Sequence, residues 1–269
     1  MNRYIDIGVN LGNRRLLPRA QALIVEAAAA GVEGQIVTAT SLQQSQVAQE
    51  LCQRFPRHLR CTCGVHPHDA SEWNADTAHR IERLAIAKSV AAIGETGLDY
   101  NRNFSPRAHQ LEAFEAQLEL AARLGMPVFL HQRDALDDFT TLLARYRDRL
   151  PGAVAHCFTE GRDALFRLLD LDCHIGITGW ICDERRGQSL QQAVTEIPDD
   201  RLMLETDAPY LLPRDLPDPP ADKTNRPRYL PHVAATVARL QGRPLEQLAD
   251  AVWNTTVRFF QFTPGTDPS

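Results

Sequence analysis

The stretch VAAIGETGLDYNRNFSPRAHQLEAFEAQLELAARLGMPVFLH (90–131) decides the fold. It opens on a short apolar β-rich run, VAAIGE (90–95), passes through a helical pattern whose apolar residues return every three or four positions, and closes on a second run, PVFLH (127–131). Pro106 suits a first helical position and Gly125 a C-terminal stop, while Ser105 is expected to cap. Strand, helix, strand of this length is the unit of a parallel sheet.

Outward from it the same unit recurs. Runs at YIDIGV (4–9), QIVTA (35–39), RCTCGV (60–65), AVAHC (153–157), CHIGIT (173–178) and LMLET (202–206) bring the strands to eight, each with room for a helix after it. Ser41 precedes one helical run and Gly31 follows another. Strands so nearly continuous in apolar residues belong to a sheet buried on both faces, and closure into a (β/α)8 TIM barrel is the expected fold. An open doubly wound sheet is the competing layout, but no glycine-rich phosphate loop follows the first strand. With 269 residues and no fixed-period repeat or linker, residues 1–269 read as one domain. The Pro-rich stretch 211–231 reads as a long loop over the barrel mouth.

A formal charge of −5 excludes a broad basic coat for nucleic acid, so any such substrate must be gripped locally. No signal-like segment and no apolar run of about 18 residues appears, from which a cytoplasmic protein is expected; a monomer is expected too. The six cysteines lack zinc spacing and read as buried free thiols.

Barrel enzymes place their chemistry at the C-terminal strand ends. Here those ends carry Asn10, His66 and His68, Glu95, His131, His156, Glu205 and Asp207. Glu95, His131 and His156, from three consecutive strands, read as metal ligands with open positions for water, and Asp207 joins them as a ligand or as the group that orients and deprotonates water. Glu205, inside its apolar run, reads as a brace. His66 is placed to contact phosphate or protonate a leaving oxygen. Arg133 reads either as a phosphate contact or as a surface ion pair with Asp134 or Asp137. Tyr100, Phe158, Trp180 and Tyr210 offer faces for stacking unpaired bases, Trp180 foremost. Two imidazoles suit Zn²⁺ or Mn²⁺ better than Mg²⁺.

The segments GVHPH (64–68), IGETGLDY (93–100), LHQRDA (130–135), HCF (156–158), ETDAPYL (205–211) and NRP (225–227) resemble the signature motifs of the TatD family of metal-dependent nucleases, in order and over nearly the whole chain. The resemblance implies an amidohydrolase-like barrel, Mg²⁺-dependent hydrolysis with Mn²⁺ or Zn²⁺ as other occupants, and 3′→5′ exonuclease action on single-stranded DNA or RNA in repair or degradation. Most members open with Asp-x-His-x-His, whose histidines bind one metal of a pair; this chain has Asp6-Ile7-Gly8-Val9-Asn10, as in the subgroup that gives the family its name. A one-metal variant of a two-metal design is expected. Two rivals stay open: an esterase or deacylase of the same fold, acting for instance on aminoacyl-tRNA, and a non-catalytic nucleic-acid-binding relative.

Overall fold

The computed structural model describes residues 2–266. Eight parallel strands follow one another around a single sheet in chain order: β1 (Tyr4–Val9), β2 (Val32–Val37), β3 (Leu59–Cys63), β4 (Val90–Asp99), β5 (Val128–Arg133), β6 (Ala153–Ala155), β7 (Cys173–Ile177) and β8 (Leu202–Leu204). Helices α1 (Ala20–Ala29), α2 (Leu42–Arg54), α3 (Ala75–Ala85), α4 (Arg107–Leu124), α5 (Leu136–Ala144), α6 (Arg162–Asp170) and α7 (Gln188–Ala193) fill the crossovers, and α8 (Leu230–Leu240) and α9 (Leu245–Phe260) follow β8. The (β/α)8 barrel is therefore the fold.

Closure between β1 and β8 relies on few bonds because β8 is short. Asp207 N donates to the Gly8 carbonyl at 2.8 Å and Asn10 N to the Ala208 carbonyl at 2.8 Å. The fully buried Asp6 carboxylate accepts from both the backbone and the hydroxyl of Thr206, tying the two strands side chain to main chain.

Two apolar clusters divide the interior. The larger packs the outer faces of the strands against the helices, whose apolar stripes supply residues such as Leu23, Phe114, Leu165 and Val237. The smaller fills the lumen with Ile5, Ile7, Ile36, Phe129, Val154 and Met203, and includes Trp253 and Phe260 of α9 and Phe262 just beyond it. Phe259 packs on the His174 ring at the start of β7, and Arg3, just before β1, lies over Trp253. The end of α9 thus seals the N-terminal end of the barrel, and the polar strand ends are left at the other.

Local capping follows the sequence in part. Ser41 Oγ accepts from Gln44 N at 3.2 Å, and Gly125 ends α4 at φ 65°. Ser105 does not cap α4, which starts after Pro106; its hydroxyl instead donates to the His68 carbonyl at 2.8 Å and steadies the loop after β3. All six cysteines are free, and all but Cys157 are buried.

Candidate active site

The long fourth strand sets the geometry. Gly94 and Gly97 sit at φ 139° and 145°, a region open to glycine, so the chain stays extended to Asp99 where a bulkier sequence would have turned away. At Gly97 the backbone runs so close to the His131 carbonyl that any Cβ would collide with it. Glu95 and Asp99 consequently face His131 of β5 from two sides.

Three imidazoles converge on a single carboxylate oxygen. Glu95 Oε1 lies 2.9 Å from His156 Nε2, 3.0 Å from His131 Nδ1 and 3.3 Å from His66 Nε2. Glu95 is buried, which alone would raise its pKa, yet His156, His66 and His131 hold it well below the ordinary carboxylate value. His156 is the strongest partner: burial opposes its charge, but Glu205 and Glu95 raise its pKa well above the usual imidazole value. It donates from Nδ1 to Glu205 Oε2 at 3.0 Å, while the other oxygen of Glu205 accepts from Cys157 N. Glu205 therefore braces one ligand candidate from behind, as the sequence suggests.

His66 differs. Its Nδ1 accepts from His68 N at 3.1 Å, starting the 3₁₀ helix Pro67–Glu72, which leaves the proton on Nε2 toward Glu95. Burial lowers its pKa to about 4. Whereas the sequence reading reserves His66 for the phosphate, the structure gathers His66, Glu95 and His131 into one group whose ligand atoms lie within 4.8 Å of one another.

Asp99 escapes the sequence reading. It is 1% exposed, and its Oδ2 lies 2.8 Å from His68 Nε2 and 3.4 Å from His131 Nε2. Burial would raise its pKa, but His131, His68 and the Arg102 N–H hold it well below the usual range. Its signal was the carboxylate ending an interrupted apolar run. Burial opposes charge on His131 too, yet with Asp99 on one side and Glu95 on the other its pKa rises.

Asp207 follows β8 at φ 53° and accepts from Asn10 Nδ2 at 2.9 Å. Burial pushes its pKa up to about 7, with Glu95 and Glu205 adding to the shift and His156 opposing it. Gly8 contributes by absence of a side chain: a Cβ there would fall on Glu205 Oε2, so the Glu205 carboxylate occupies the room a larger residue would need.

His66, Glu95, Asp99, His131, His156 and Asp207 floor a cavity of about 1120 Å³. Its rim carries Arg14, Arg102 and Arg133, and among the described residues Arg133 pairs with no carboxylate: Asp134 accepts from Asn101 and Asp137 pairs with Arg167. Of the aromatic candidates, Trp180 and Tyr210 line the cavity, Phe158 is buried in the core, and Tyr100 packs against it with its hydroxyl donating to Asp138. Arg186 lies over Trp180 at 4.3 Å. Phe104, unnoticed in the sequence, stands 69% exposed at the rim with its ring edge-on to His68 at 4.7 Å.

A carboxylate oxygen ringed by imidazole nitrogens is a donor set that can hold a divalent cation in place of the shared protons. Acid and ligand geometry at a strand-end cavity are features of many hydrolases on this fold. Comparison with known proteins narrows the field: the family model described as TatD related DNase matches residues 5–261. A protein from Citrobacter rodentium named 3′-5′ ssDNA/RNA exonuclease TatD is 50% identical over 258 residues, covering 96% of this chain and 98% of its own. One of the same name from Dickeya dadantii is 50% identical over 256 residues, covering 95% and 97%. Among solved structures, a TatD homologue from Escherichia coli K12 superposes with a TM-score of 0.90 at 27% identity, over 97% of this chain and 99% of that one.

Proposed function

Since the chain belongs to the family of TatD-related DNases, we propose that it removes nucleotides from the 3′ end of single-stranded DNA or RNA, with a divalent cation held by Glu95, His131 and His156 and with His66 and Asp207 beside it. It is a hydrolase of phosphodiester bonds, and its substrate is nucleic acid. The observation that carries the site assignment is the convergence of three imidazole nitrogens within 3.3 Å of Glu95 Oε1 at the floor of a cavity of about 1120 Å³.

The bound cation would polarise a phosphoryl oxygen and make a coordinated water more acidic. Mg²⁺ is the first choice, with Mn²⁺ or Zn²⁺ suited by the imidazoles. Around it this chain's residues have separable tasks. Asp207, held by Asn10 and with a pKa near 7, accepts the proton of the attacking water. Glu205 keeps a proton on His156 Nδ1 and so orients the ring. His66 keeps its Nε2 proton facing the reacting centre, as a donor to a phosphate oxygen or the leaving oxygen. Arg133, without a carboxylate partner, is available to a phosphate. Trp180 and its neighbours on the rim supply faces for unpaired bases. The one-metal reading rests on Gly8 and Asn10: neither offers an imidazole, and Asn10 spends its amide on Asp207. Among the described residues no helix is long and apolar enough to cross a membrane, and we take the protein to act as a cytoplasmic monomer.

The test is a single-stranded oligonucleotide labelled at its 5′ end, incubated with the protein and Mg²⁺ or Mn²⁺. A ladder shortening from the 3′ end, abolished by chelator and by His131→Ala or His156→Ala, is expected. Release of label from the 5′ end, or turnover confined to an aminoacyl-tRNA ester assayed in parallel, would overturn the proposal.

A further inference from the structure

We propose that Cys182, Asp215 and His232 form a second metal site, selective for Zn²⁺, on the flank of the barrel. The three residues come from separate segments: Cys182 ends the 3₁₀ helix Gly179–Cys182 after β7, Asp215 lies in the Pro-rich loop between β8 and α8, and His232 is in the first turn of α8. Their ligand atoms lie within 4.8 Å of one another, and none of the three lines the catalytic cavity. His232 Nε2 and Asp215 Oδ1 are 2.7 Å apart.

The cluster has the build of a metal pocket. Cys182 is buried at its base, with the Thr236 hydroxyl 3.5 Å from Sγ, while the Asp215 and His232 side chains are 37% and 26% exposed and leave a way in from solvent. In tetrahedral zinc coordination, bonds of about 2.0–2.3 Å set neighbouring ligand atoms roughly 3.3–3.6 Å apart, so the site closes with movements of about 1 Å. A thiolate, an imidazole and a carboxylate match zinc, while Mg²⁺ and Ca²⁺ demand oxygen throughout. Without an ion, burial pushes the Cys182 thiol up to about 12; on binding, the thiol yields its proton to solvent, the His232 Nε2 proton that faces Asp215 leaves so that the neutral ring is protonated at Nδ1 alone, and the Sγ–metal and Nε2–metal bonds form with no change in oxidation state.

The site fastens the mouth. The loop that carries Asp215 begins at Asp207 and Tyr210, and Cys182 lies two residues past Trp180, so an ion here ties two walls of the cavity to α8. Zinc is expected to stabilise the protein against unfolding through this site as well as through any occupancy of the catalytic cluster.

Cobalt(II) added to the full-length protein tests this, because a thiolate ligand gives a charge-transfer absorption in the near ultraviolet. The band is expected in the wild type, absent in Cys182→Ser, and retained in Cys157→Ser, the thiol nearest the catalytic cluster. In Asp215→Asn, a change in a partly exposed loop, zinc should bind at that site about tenfold more weakly or worse, measured by competition with a chromogenic chelator. A wild type without the band, a band that survives Cys182→Ser, or Asp215→Asn with undiminished affinity would overturn the proposal.

Discussion

Glu205 and His156 are joined by a 3.0 Å bond from the imidazole Nδ1 to the carboxylate Oε2, and this bond decides which nitrogen of His156 faces Glu95. Glu205→Gln keeps the shape but replaces an anion with a group that can accept or donate. The expected outcome is a 10- to 100-fold drop, roughly, in metal affinity or cleavage rate with unchanged circular dichroism. A metal titration and a rate measured at saturating metal separate the two effects.

Gly8→Ala should imitate that loss from the opposite side. Its methyl group would land on Glu205 Oε2, and the carboxylate must leave His156 to make room. A fall in activity of about tenfold is expected. In a Glu205→Gln background the same alanine should cost much less than in the wild type, because both changes break one bond; full additivity in the double-mutant cycle would contradict the coupling.

Phe104 stands at the rim with most of its ring in solvent and its edge on His68. Phe104→Ala is expected to raise KM for single-stranded substrate by the equivalent of about 1–3 kcal/mol, leaving kcat less affected. A dinucleotide too short to reach the rim should show little difference between the two proteins.

His174, on β7 against Phe259, carries a pH dependence of stability away from the catalytic cluster. Burial first, then Arg201, lowers its pKa from 6.5 to about 4. Between those values the unfolded chain binds the proton and the folded chain resists it, so stability is complete above about pH 6.5 and falls as the pH drops toward 4. The loss is on the order of 2 kcal/mol once partial exposure is allowed for. His174→Leu should flatten that limb, read as urea midpoints across the same window.

The barrel and the convergence of Glu95, His131 and His156 in the candidate site were legible because they rest on periodicity. Eight apolar runs at helix spacing imply a parallel closed sheet, and Glu95, His131 and His156 stand where those runs end. Boundaries were legible only roughly: β2 begins at Val32, before the expected residue 35, because Glu33 and Gly34 break the apolar run while the pairing to β1 continues across them through a register shift between Tyr4 and Ile5. β4 shows the larger gap. The expected run stops at Glu95, whereas the positive φ values of Gly94 and Gly97 accompany a strand that goes on to Asp99, whose buried carboxylate the sequence reading does not single out. His66 is legible as a strand-end residue, but its closeness to Glu95 and His131 is a tertiary fact with no local pattern. Phe104 looked like any single surface aromatic, since only its neighbours on the rim give it meaning.

The sealed floor has a consequence for traffic. With Trp253, Phe260 and Phe262 stopping the barrel from below, the cavity is a blind alley rather than a tunnel. A polymer can offer it an end but cannot be threaded through, and the severed unit must back out by the door through which the strand came in. Each turnover therefore includes a clearance before the strand can advance, and the width and stiffness of the mouth bear on how quickly the next unit is taken.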